Sequence, residues 1–303
     1  MRVTLTGATG LIGSKLVAAL AARGDEVTVL SRNPLSAREA LGVEAVAWDP
    51  EGEPAPEHAL AGRDGVVHLA GESVAQRWTD GAKERIRSSR SAGTRQLVAG
   101  LETAEPRPRV LVSASGVGYY GPHGADRLDE STSPGDDFLA RVTVDWESAA
   151  RAAETLGVRV VLLRTGVVLD RGGGALAKML PPFRLGVGGP VAGGRQYVPW
   201  IHVDDVVGMY LAALDDESWA GPVNATAPEP VTNRELSKAL GRALHRPALA
   251  PVPALALRAL YGEMAEIVTE GQRAVPARAT EHGYEYRHPD LDEALRSALA
   301  ASR

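Results

Sequence analysis

The sequence predicts an α/β fold: a doubly wound parallel sheet with a small C-terminal lobe that covers the substrate cleft. Strand and helix patterns alternate from residue 2 to about residue 165, as a parallel sheet with helices on both faces requires. A short apolar strand, residues 2–6, runs through a glycine turn, residues 7–13, into an alanine-rich helix. After Arg164 the alternation ends, and a Gly/Pro-rich stretch extends from Gly172 to Pro199.

Each element follows from periodicity and from the residues that bound it. Strands are predicted over residues 2–6, 26–30, 43–48, 65–70, 109–113, 158–164 and 222–226. Helices are predicted over residues 14–23, 80–101, 138–156, 176–180, 232–245 and 289–300, with Thr232 and Glu235 forming a capping box. The predicted domains are a core of residues 1–165, to which residues 201–226 return, and a substrate-side insertion and lobe of residues 166–200 and 227–303.

Composition excludes several classes of function. A net charge of -5 and a pI near 5.9 argue against nucleic acid or an anionic membrane as the partner. The absence of cysteine excludes disulfides, thiolate catalysis and Cys-ligated zinc, and the seven histidines show no metal-ligand spacing. No apolar run approaches the ~20 residues that a membrane helix needs. Because a strand begins at residue 2, no signal peptide is expected, and the expected location is cytoplasmic.

The glycine turn predicts a dinucleotide-binding site. Gly7 permits the tight turn, Gly10 lets the backbone approach a pyrophosphate, and Gly13 lets the helix pack on the strand. The helix N-terminus offers N–H groups and the positive end of its dipole to the phosphates. The predicted contacts here are Thr6, Gly7, Thr9, Gly10, Leu11, Ile12 and Gly13. The alternative is a glycine turn with a structural role only.

The end of the second strand indicates which dinucleotide binds. NAD-binding units place an Asp or Glu there to hold the ribose 2′-hydroxyl, but this sequence has Ser31 and Arg32. A guanidinium attracts the 2′-phosphate that a carboxylate would repel. NADP(H) is therefore predicted over NAD(H), with an ordinary surface arginine as the alternative.

Several segments together resemble the extended or atypical short-chain dehydrogenase/reductases, whose glycine spacing is also G-x-x-G-x-x-G. They are residues 6–13, 31–32, 68–72 and 112–121. Residues 193–205, 221–228 and the tail, with Arg273, Pro276 and residues 283–295, are similar to one branch. That branch comprises sugar-epimerase-like proteins whose C-terminal domain has no assigned function. The resemblance implies a Rossmann fold, an NAD(P) cofactor and a nucleotide-sugar epimerase label, without naming a substrate.

The resemblance also implies further cofactor contacts. Trp48 and Asp49, after the third strand, would line the adenine. The loop of Leu69, Ala70, Gly71 and Glu72 would pass under the riboses, because ligands bind at the carboxyl ends of parallel strands. Arg77 would reach a phosphate or a ribose. For Glu72 and Arg77, a solvated loop is the alternative.

The catalytic residues of such enzymes are only partly present. Members that transfer hydride use a Ser or Thr after the fifth strand and a Tyr-x-x-x-Lys pair on the next helix, in which Lys lowers the tyrosine pKa from ~10. Ser115 fits the hydroxyl position, but Leu139 and Thr143 stand where the Tyr and Lys would be. Tyr119 and Tyr120, in the turn after Ser115, are the predicted substitutes for the proton donor.

Other polar residues have two interpretations each. Asp204 could orient His202 for acid–base work, or the His-x-Asp-Asp segment could cap the following helix and attach the insertion to the core. Arg195 could hold a substrate phosphate or carboxylate, or form a salt bridge.

The sequence leaves two functions open. Three cations on one helical face, Lys83, Arg87 and Arg90, could attract an anionic small-molecule substrate, although a solvated charged face explains them too. The leading hypothesis is an NADP(H)-dependent oxidoreductase or epimerase-like enzyme of unknown substrate. The alternative is a non-catalytic NADPH sensor or scaffold. A homodimer is implied only because members of the superfamily often pair through long helices.

Overall fold

A seven-stranded parallel sheet forms the centre of the protein in the computed structural model, which describes residues 1–300. The strands are β1 Arg2–Thr6, β2 Glu26–Ser31, β3 Glu44–Ala47, β4 Gly65–His68, β5 Val110–Gly116, β6 Arg127–Leu128, β7 Arg159–Thr165, β8 Val167–Leu169, β9 Tyr197–Val198, β10 Trp200–His202, β11 Gly221–Ala225, β12 Val231–Thr232 and β13 Arg273–Ala274. The sheet order is β11-β7-β5-β4-β1-β2-β3. The order reverses direction between β1 and β4, which confirms the doubly wound arrangement.

The described residues contain eleven helices, some against the sheet and others in the C-terminal lobe. They are α1 Leu11–Ala22, α2 Pro34–Leu41, α3 Asp80–Thr103, α4 Phe138–Arg151, α5 Gly174–Arg184, α6 Val203–Asp215, α7 Asn233–Leu244, α8 Ala254–Tyr261, α9 Ala265–Thr269, α10 Ala277–Glu281 and α11 Leu291–Leu299. A short 3-10 helix, Val117–Tyr120, follows β5 directly. No helix within residues 1–300 is long and apolar enough to cross a membrane.

The sheet separates two hydrophobic cores. Side chains alternate along a strand, so Val3 and Leu5 pack with α1 and α6 on one face. On the other face, Val66 and Leu111 pack against Leu97 of α3. A third cluster, under α5, α7 and α11, forms the interior of the C-terminal lobe. The central strands are buried on both faces, which explains why their sequences are nearly continuous apolar runs.

Most predicted elements are present, and β1 has its predicted bounds. The capping box of Thr232 and Glu235 begins α7 as predicted. The helix predicted over residues 138–156 ends at Arg151 and continues as a 3-10 turn, Ala152–Leu156. Three two-stranded ribbons, β8–β10, β9–β12 and β6–β13, were not predicted, because strands of two or three residues are too short to show a period. The proposed domain boundaries stay a prediction.

Candidate functional site

The glycine turn after β1 is packed against the neighbouring loop. Gly7 has φ +67°, and a Cβ on it would lie 2.5 Å from the carbonyl carbon of Leu69. A Cβ on Gly13 would lie 2.4 Å from the carbonyl oxygen of Gly7. Gly10 differs, because its nearest protein atom would be the same oxygen at 3.2 Å. The first and third glycines are therefore required by the protein's own backbone, and the second lies on the open side.

The N-terminus of α1 is available to an anion. Its N-cap, Gly10, supplies no side-chain cap, and the first turn contains no acidic residue. Thr9 and Gly10 are exposed, and Leu11 and Ile12 are half-buried. Unpaired N–H groups and the helix dipole favour negative charge at such a position. These residues fit a pyrophosphate.

Thr6 has a positioning role, which corrects its predicted contact with the cofactor. Its side chain is fully buried, and its hydroxyl accepts hydrogen bonds from the backbone N–H groups of Leu69 and Ala70, both at 3.1 Å. The same hydroxyl lies 2.7 Å from His68 Nδ1, and His68 Nε2 lies 3.0 Å from the Thr94 hydroxyl. Burial, followed by the charge of Arg90, lowers the pKa of His68 to about 4. This network holds the loop after β4 against the glycine turn.

The residues after β2 and β3 are divided between surface and core. Arg32 is exposed, and Ser31 accepts a hydrogen bond from the Asn33 N–H at 3.2 Å. Asp49 is exposed as well. Trp48, in contrast, is 2% exposed and its indole N–H donates to the Glu53 carbonyl at 2.9 Å. The predicted contact of Trp48 with adenine is therefore wrong: the ring belongs to the core.

The loop after β4 is fixed by α3. The Glu72 N–H donates to the Ser89 hydroxyl at 2.9 Å, and Arg90 donates to the Glu72 carbonyl at 2.9 Å. Gly71 is exposed, and Leu69, Ala70 and Glu72 are half-buried. The backbone of this loop thus remains a candidate for the ribose side of the site.

Arg77 does not face that loop backbone, which corrects its predicted contact with a phosphate or a ribose. Its guanidinium donates to the carbonyls of Ala259 and Leu260, at 2.8 and 3.2 Å, in the last turn of α8. An arginine in this position satisfies carbonyls that the helix leaves unpaired. Its side chain attaches the loop to the C-terminal lobe.

The three cations of α3 that were predicted to share one face do not form a common surface. Lys83 pairs with Glu263 of the lobe, and Arg87 lies near Glu84. Arg90 turns inward, with its Cζ 5.0 Å from the centroid of a Trp146 ring. Burial lowers the pKa of Arg90 to about 10. The hypothesis that these residues jointly attract an anionic substrate is therefore not supported by their placement.

A buried polar network lies under the end of β5. The Ser115 hydroxyl donates to Glu147 at 2.6 Å, and Arg164 binds both oxygens of that carboxylate. Arg164 also donates to the Tyr120 hydroxyl at 3.1 Å, and Tyr120 donates to Asn224 at 2.7 Å. Burial raises the pKa of Tyr120 to about 12.

This network does not support two of the three predicted catalytic residues. Ser115 is 5% exposed and Tyr120 is fully buried, and both hydroxyls donate to buried partners rather than facing open space. Sequence reasoning missed Glu147 and Arg164. Arg164 stands at the end of an apolar strand, where an unpaired charge is too costly to bury. Its position could have indicated a buried ion pair.

Tyr119 is the predicted catalytic residue that keeps access. It is half-buried, and its ring centroid lies 3.4 Å from the Arg164 Cζ. Its hydroxyl has no hydrogen-bond partner in residues 1–300. Facing the same turn, Leu139 approaches Gly118, while the Thr143 hydroxyl donates to the Leu139 carbonyl at 2.8 Å. The positions of the usual Tyr and Lys are thus occupied by groups without acid–base capacity.

The His-x-Asp-Asp segment has a structural role, which was one of its two interpretations from the sequence: it caps a helix and connects parts of the chain. His202 is the N-cap of α6, its Nδ1 accepting the Asp204 N–H at 3.1 Å. Asp205 is buried and accepts from the N–H groups of Arg287 and His288, at 2.7 and 3.1 Å. Burial, followed by the charge of His288, lowers the pKa of His202 to about 4. The segment therefore attaches the C-terminal tail to the core.

A cavity of about 640 Å³ lies beside the start of α1. The first turn of α1 forms one wall, and the loop of residues 170–173 with His202 forms another. Arg195, on the loop before β9, is exposed and makes no salt bridge in the described part of the chain.

Comparisons with known proteins agree over nearly the whole chain. A profile of the NAD dependent epimerase/dehydratase family matches residues 3–224, and a domain of unknown function, DUF1731, matches residues 252–298. An epimerase family protein of Mycobacterium bovis is 42% identical, over 97% of this chain and 96% of that protein. A chloroplastic epimerase family protein of Arabidopsis thaliana is 41% identical, over 99% of this chain and 87% of that protein. The crystal structure of human epimerase family protein SDR39U1 with NADPH superimposes with a TM-score of 0.88 at 37% identity, covering 98% of this chain and 99% of that one.

Proposed function

Because the chain belongs to the NAD dependent epimerase/dehydratase family, we propose that it binds NADP(H) and uses it as the hydride carrier of an oxidoreductase or an epimerase-like enzyme that acts on a small molecule. The observation that supports this most directly is the uncapped first turn of α1 beside three glycines, two of which leave no space for a Cβ. A 37% identical human relative was crystallised with NADPH.

The preference for the phosphorylated dinucleotide is assigned to Arg32. It is exposed after β2, and no carboxylate occupies the position that would hold a 2′-hydroxyl. A guanidinium fork matches the 2′-phosphate. Ser31 stands beside it and adds a hydroxyl.

The proton chemistry is assigned to Tyr119. NADPH supplies a hydride when bound, and reduction of a carbonyl then needs a proton at the substrate oxygen. Tyr119 is the phenol at the end of β5 whose hydroxyl is not committed within residues 1–300. Arg164, paired with Glu147, holds its ring in place.

Calorimetric titration with NADPH, NADP+, NADH and NAD+ tests the cofactor assignment. The natural chain is expected to bind the phosphorylated pair at least tenfold more tightly, and Arg32→Ala to lose that difference while retaining NADH affinity. Arg95→Ala, an exposed arginine on α3, is the matched control. Equal affinity of the natural chain for all four dinucleotides would refute the role of Arg32, and no binding would refute the function.

A second candidate function is NADPH binding without turnover. The burial of Ser115 and the Leu139–Thr143 replacement favour it, because they remove the usual acid–base groups. Deuteride transfer from labelled NADPH to a panel of carbonyl compounds separates the two functions. Transfer that Tyr119→Phe reduces supports the enzyme, and no transfer by a protein that binds NADPH supports the sensor.

A further inference from the structure

Arg90 of α3 places a guanidinium directly behind the loop that follows β4. A Cβ on Gly71, which is an exposed residue of that loop, would lie 3.4 Å from the Arg90 Cζ. Arg90 Nη1 donates to the Glu72 carbonyl at 2.9 Å and to the Ile86 carbonyl at 3.2 Å. Its Cζ also lies 5.0 Å from the centroid of a Trp146 ring on α4. These contacts with the loop, with α3 and with α4 hold the guanidinium in one position.

The charge of Arg90 is not neutralised by an ion pair. Arg90 is half-buried, and within residues 1–300 it forms no salt bridge, in contrast to Arg87 and Arg164. Burial lowers the pKa of its guanidinium to about 10, so it is still protonated at pH 7. After burial, the charge of Arg90 is the second cause of the lowered pKa of His68. Its field therefore acts on groups at the end of β4.

Two other pairs of opposite charges lie near the ends of β4 and β5. Under the end of β5, Arg164 is paired with Glu147, so this pair carries no net charge. Beside the loop after β4, a Glu72 carboxylate oxygen lies 3.8 Å from Arg85 Nε, and both side chains are in contact with water. Water and ions screen charges that are exposed in this way. Arg90 therefore gives this part of the cleft an excess of positive charge.

The strand order indicates which half of a bound dinucleotide belongs over this loop. In a doubly wound sheet the dinucleotide crosses the point where the strand order reverses, and here that point lies between β1 and β4. The adenine ribose belongs to the side of β2, which Arg32 follows. The nicotinamide half belongs to the other side, that of β4 and β5. Arg90 stands behind the loop on that side.

We propose that the charge of Arg90 makes the protein bind NADPH more tightly than NADP+, an inference that rests on the proposed function. The nicotinamide ring carries a positive charge when it is oxidised and none when it is reduced, so a cation beside it opposes only the oxidised form. Because its contacts hold the guanidinium in place, it cannot move away to relieve this repulsion. In a partly buried site the effect on the ratio of the two dissociation constants is expected to be about tenfold. When both forms are present at equal concentration, the protein is then loaded mainly with the reduced one.

Calorimetric titration with NADPH and with NADP+ measures this ratio. The natural chain is expected to bind NADPH about tenfold more tightly, and Arg90→Met, which keeps the aliphatic stem, is expected to lose most of that preference. A loop loosened by the substitution weakens both dinucleotides alike, so the ratio reports the charge and not the structural role of Arg90. Arg90→Lys retains the charge and is expected to retain the preference. The control Arg87→Met removes an exposed charge from the same helix and is expected to leave the ratio unchanged.

Glu72→Gln tests the proposal with the opposite sign. It removes a negative charge near Arg90 and leaves the backbone carbonyl that Arg90 binds, so the preference for NADPH is expected to increase by about twofold. This partly exposed position carries the test if Arg90→Met does not fold, and a ratio that Glu72→Gln fails to raise then refutes the proposal.

Two further results would overturn the role of Arg90: equal affinity of the natural chain for NADPH and NADP+, or an unchanged ratio in Arg90→Met. Either result leaves the proposed function intact, because the protein still binds the dinucleotide. Absence of binding of both forms by the natural chain is a different outcome, which refutes the proposed function and this inference with it.

Discussion

Arg164 binds the carboxylate of Glu147 through two parallel hydrogen bonds, Nε to Oε1 at 2.8 Å and Nη2 to Oε2 at 2.9 Å. Both side chains are buried, at 2% and 5% exposed. The pair joins β7 to α4 and provides the acceptor for Ser115. It also holds the Tyr119 ring. The ion pair therefore fixes the end of β5, where we place the proton chemistry.

Removing Arg164 is expected to be strongly destabilising. Arg164→Met leaves the Glu147 carboxylate buried without a counter-charge, which costs about 3–5 kcal/mol of unfolding free energy. Urea denaturation at pH 7 measures this cost. The double variant Arg164→Met, Glu147→Gln lacks the uncompensated charge and is expected to recover part of the lost unfolding free energy. If the unfolding free energy of Arg164→Met lies within about 1 kcal/mol of that of the natural chain, the ion pair does not have this role.

Thr6→Val tests whether the threonine positions the loop after β4. Valine has nearly the same shape but cannot accept the two N–H bonds from Leu69 and Ala70. The Leu69 N–H keeps the Thr6 backbone oxygen as an acceptor, but the Ala70 N–H and the buried His68 Nδ1 lose their partner. This loss is expected to cost about 1–3 kcal/mol of unfolding free energy. NADPH affinity is expected to fall as well, because the loop supports the glycine turn. Thr103→Val, an exposed threonine at the end of α3, should change neither quantity.

Gly13→Ala tests the packing of α1 against the turn. Its methyl group would lie 2.4 Å from the Gly7 carbonyl oxygen and 2.7 Å from the Ala8 Cα. The turn must move to relieve these contacts, so NADPH affinity is expected to fall at least tenfold by calorimetry. Gly81→Ala, in the first turn of α3 with no contact closer than 3.6 Å, is the control. Normal affinity in Gly13→Ala would show that the first turn of α1 is not the phosphate site.

Stability is expected to fall in mild acid because His68 is buried in its neutral form. Its pKa in the folded protein is about 4, against 6.5 for an unperturbed histidine. As the pH decreases below 6.5, His68 is protonated in the unfolded chain, whereas in the folded protein it stays neutral until about pH 4. The unfolding free energy therefore decreases through this window, by about 2 kcal/mol at pH 5 for this one histidine.

Urea denaturation at pH 7, 6 and 5 measures this dependence. His68→Gln, which can still hydrogen-bond to Thr6 and Thr94, is expected to lose about 2 kcal/mol of the difference between pH 7 and pH 5. The exposed His58→Gln should keep the full difference. An unchanged pH dependence in His68→Gln would show that another group is responsible. His202, whose pKa is also lowered to about 4, is the first alternative.

The sheet, the glycine turn and the absence of the Tyr–Lys pair could be predicted from the sequence alone. These depend on local patterns: apolar runs set the strands, Gly7 and Gly13 mark a backbone with no space for a Cβ, and α4 shows Leu139 and Thr143 directly. Such features involve residues close in sequence, so their periodicity and spacing are visible without the fold.

Which of the predicted site residues are accessible to a ligand depends on the tertiary structure. Trp48, Ser115 and Tyr120 lie at or soon after strand ends, as ligand-binding residues do, yet each is buried and donates a hydrogen bond to another part of the protein. Arg77 reaches α8, 182 residues further along the chain. The partners that determine these orientations are distant in sequence, and a pattern of residue types does not record them. The same is true of Arg90, whose guanidinium contacts the loop after β4 and the Trp146 ring on α4.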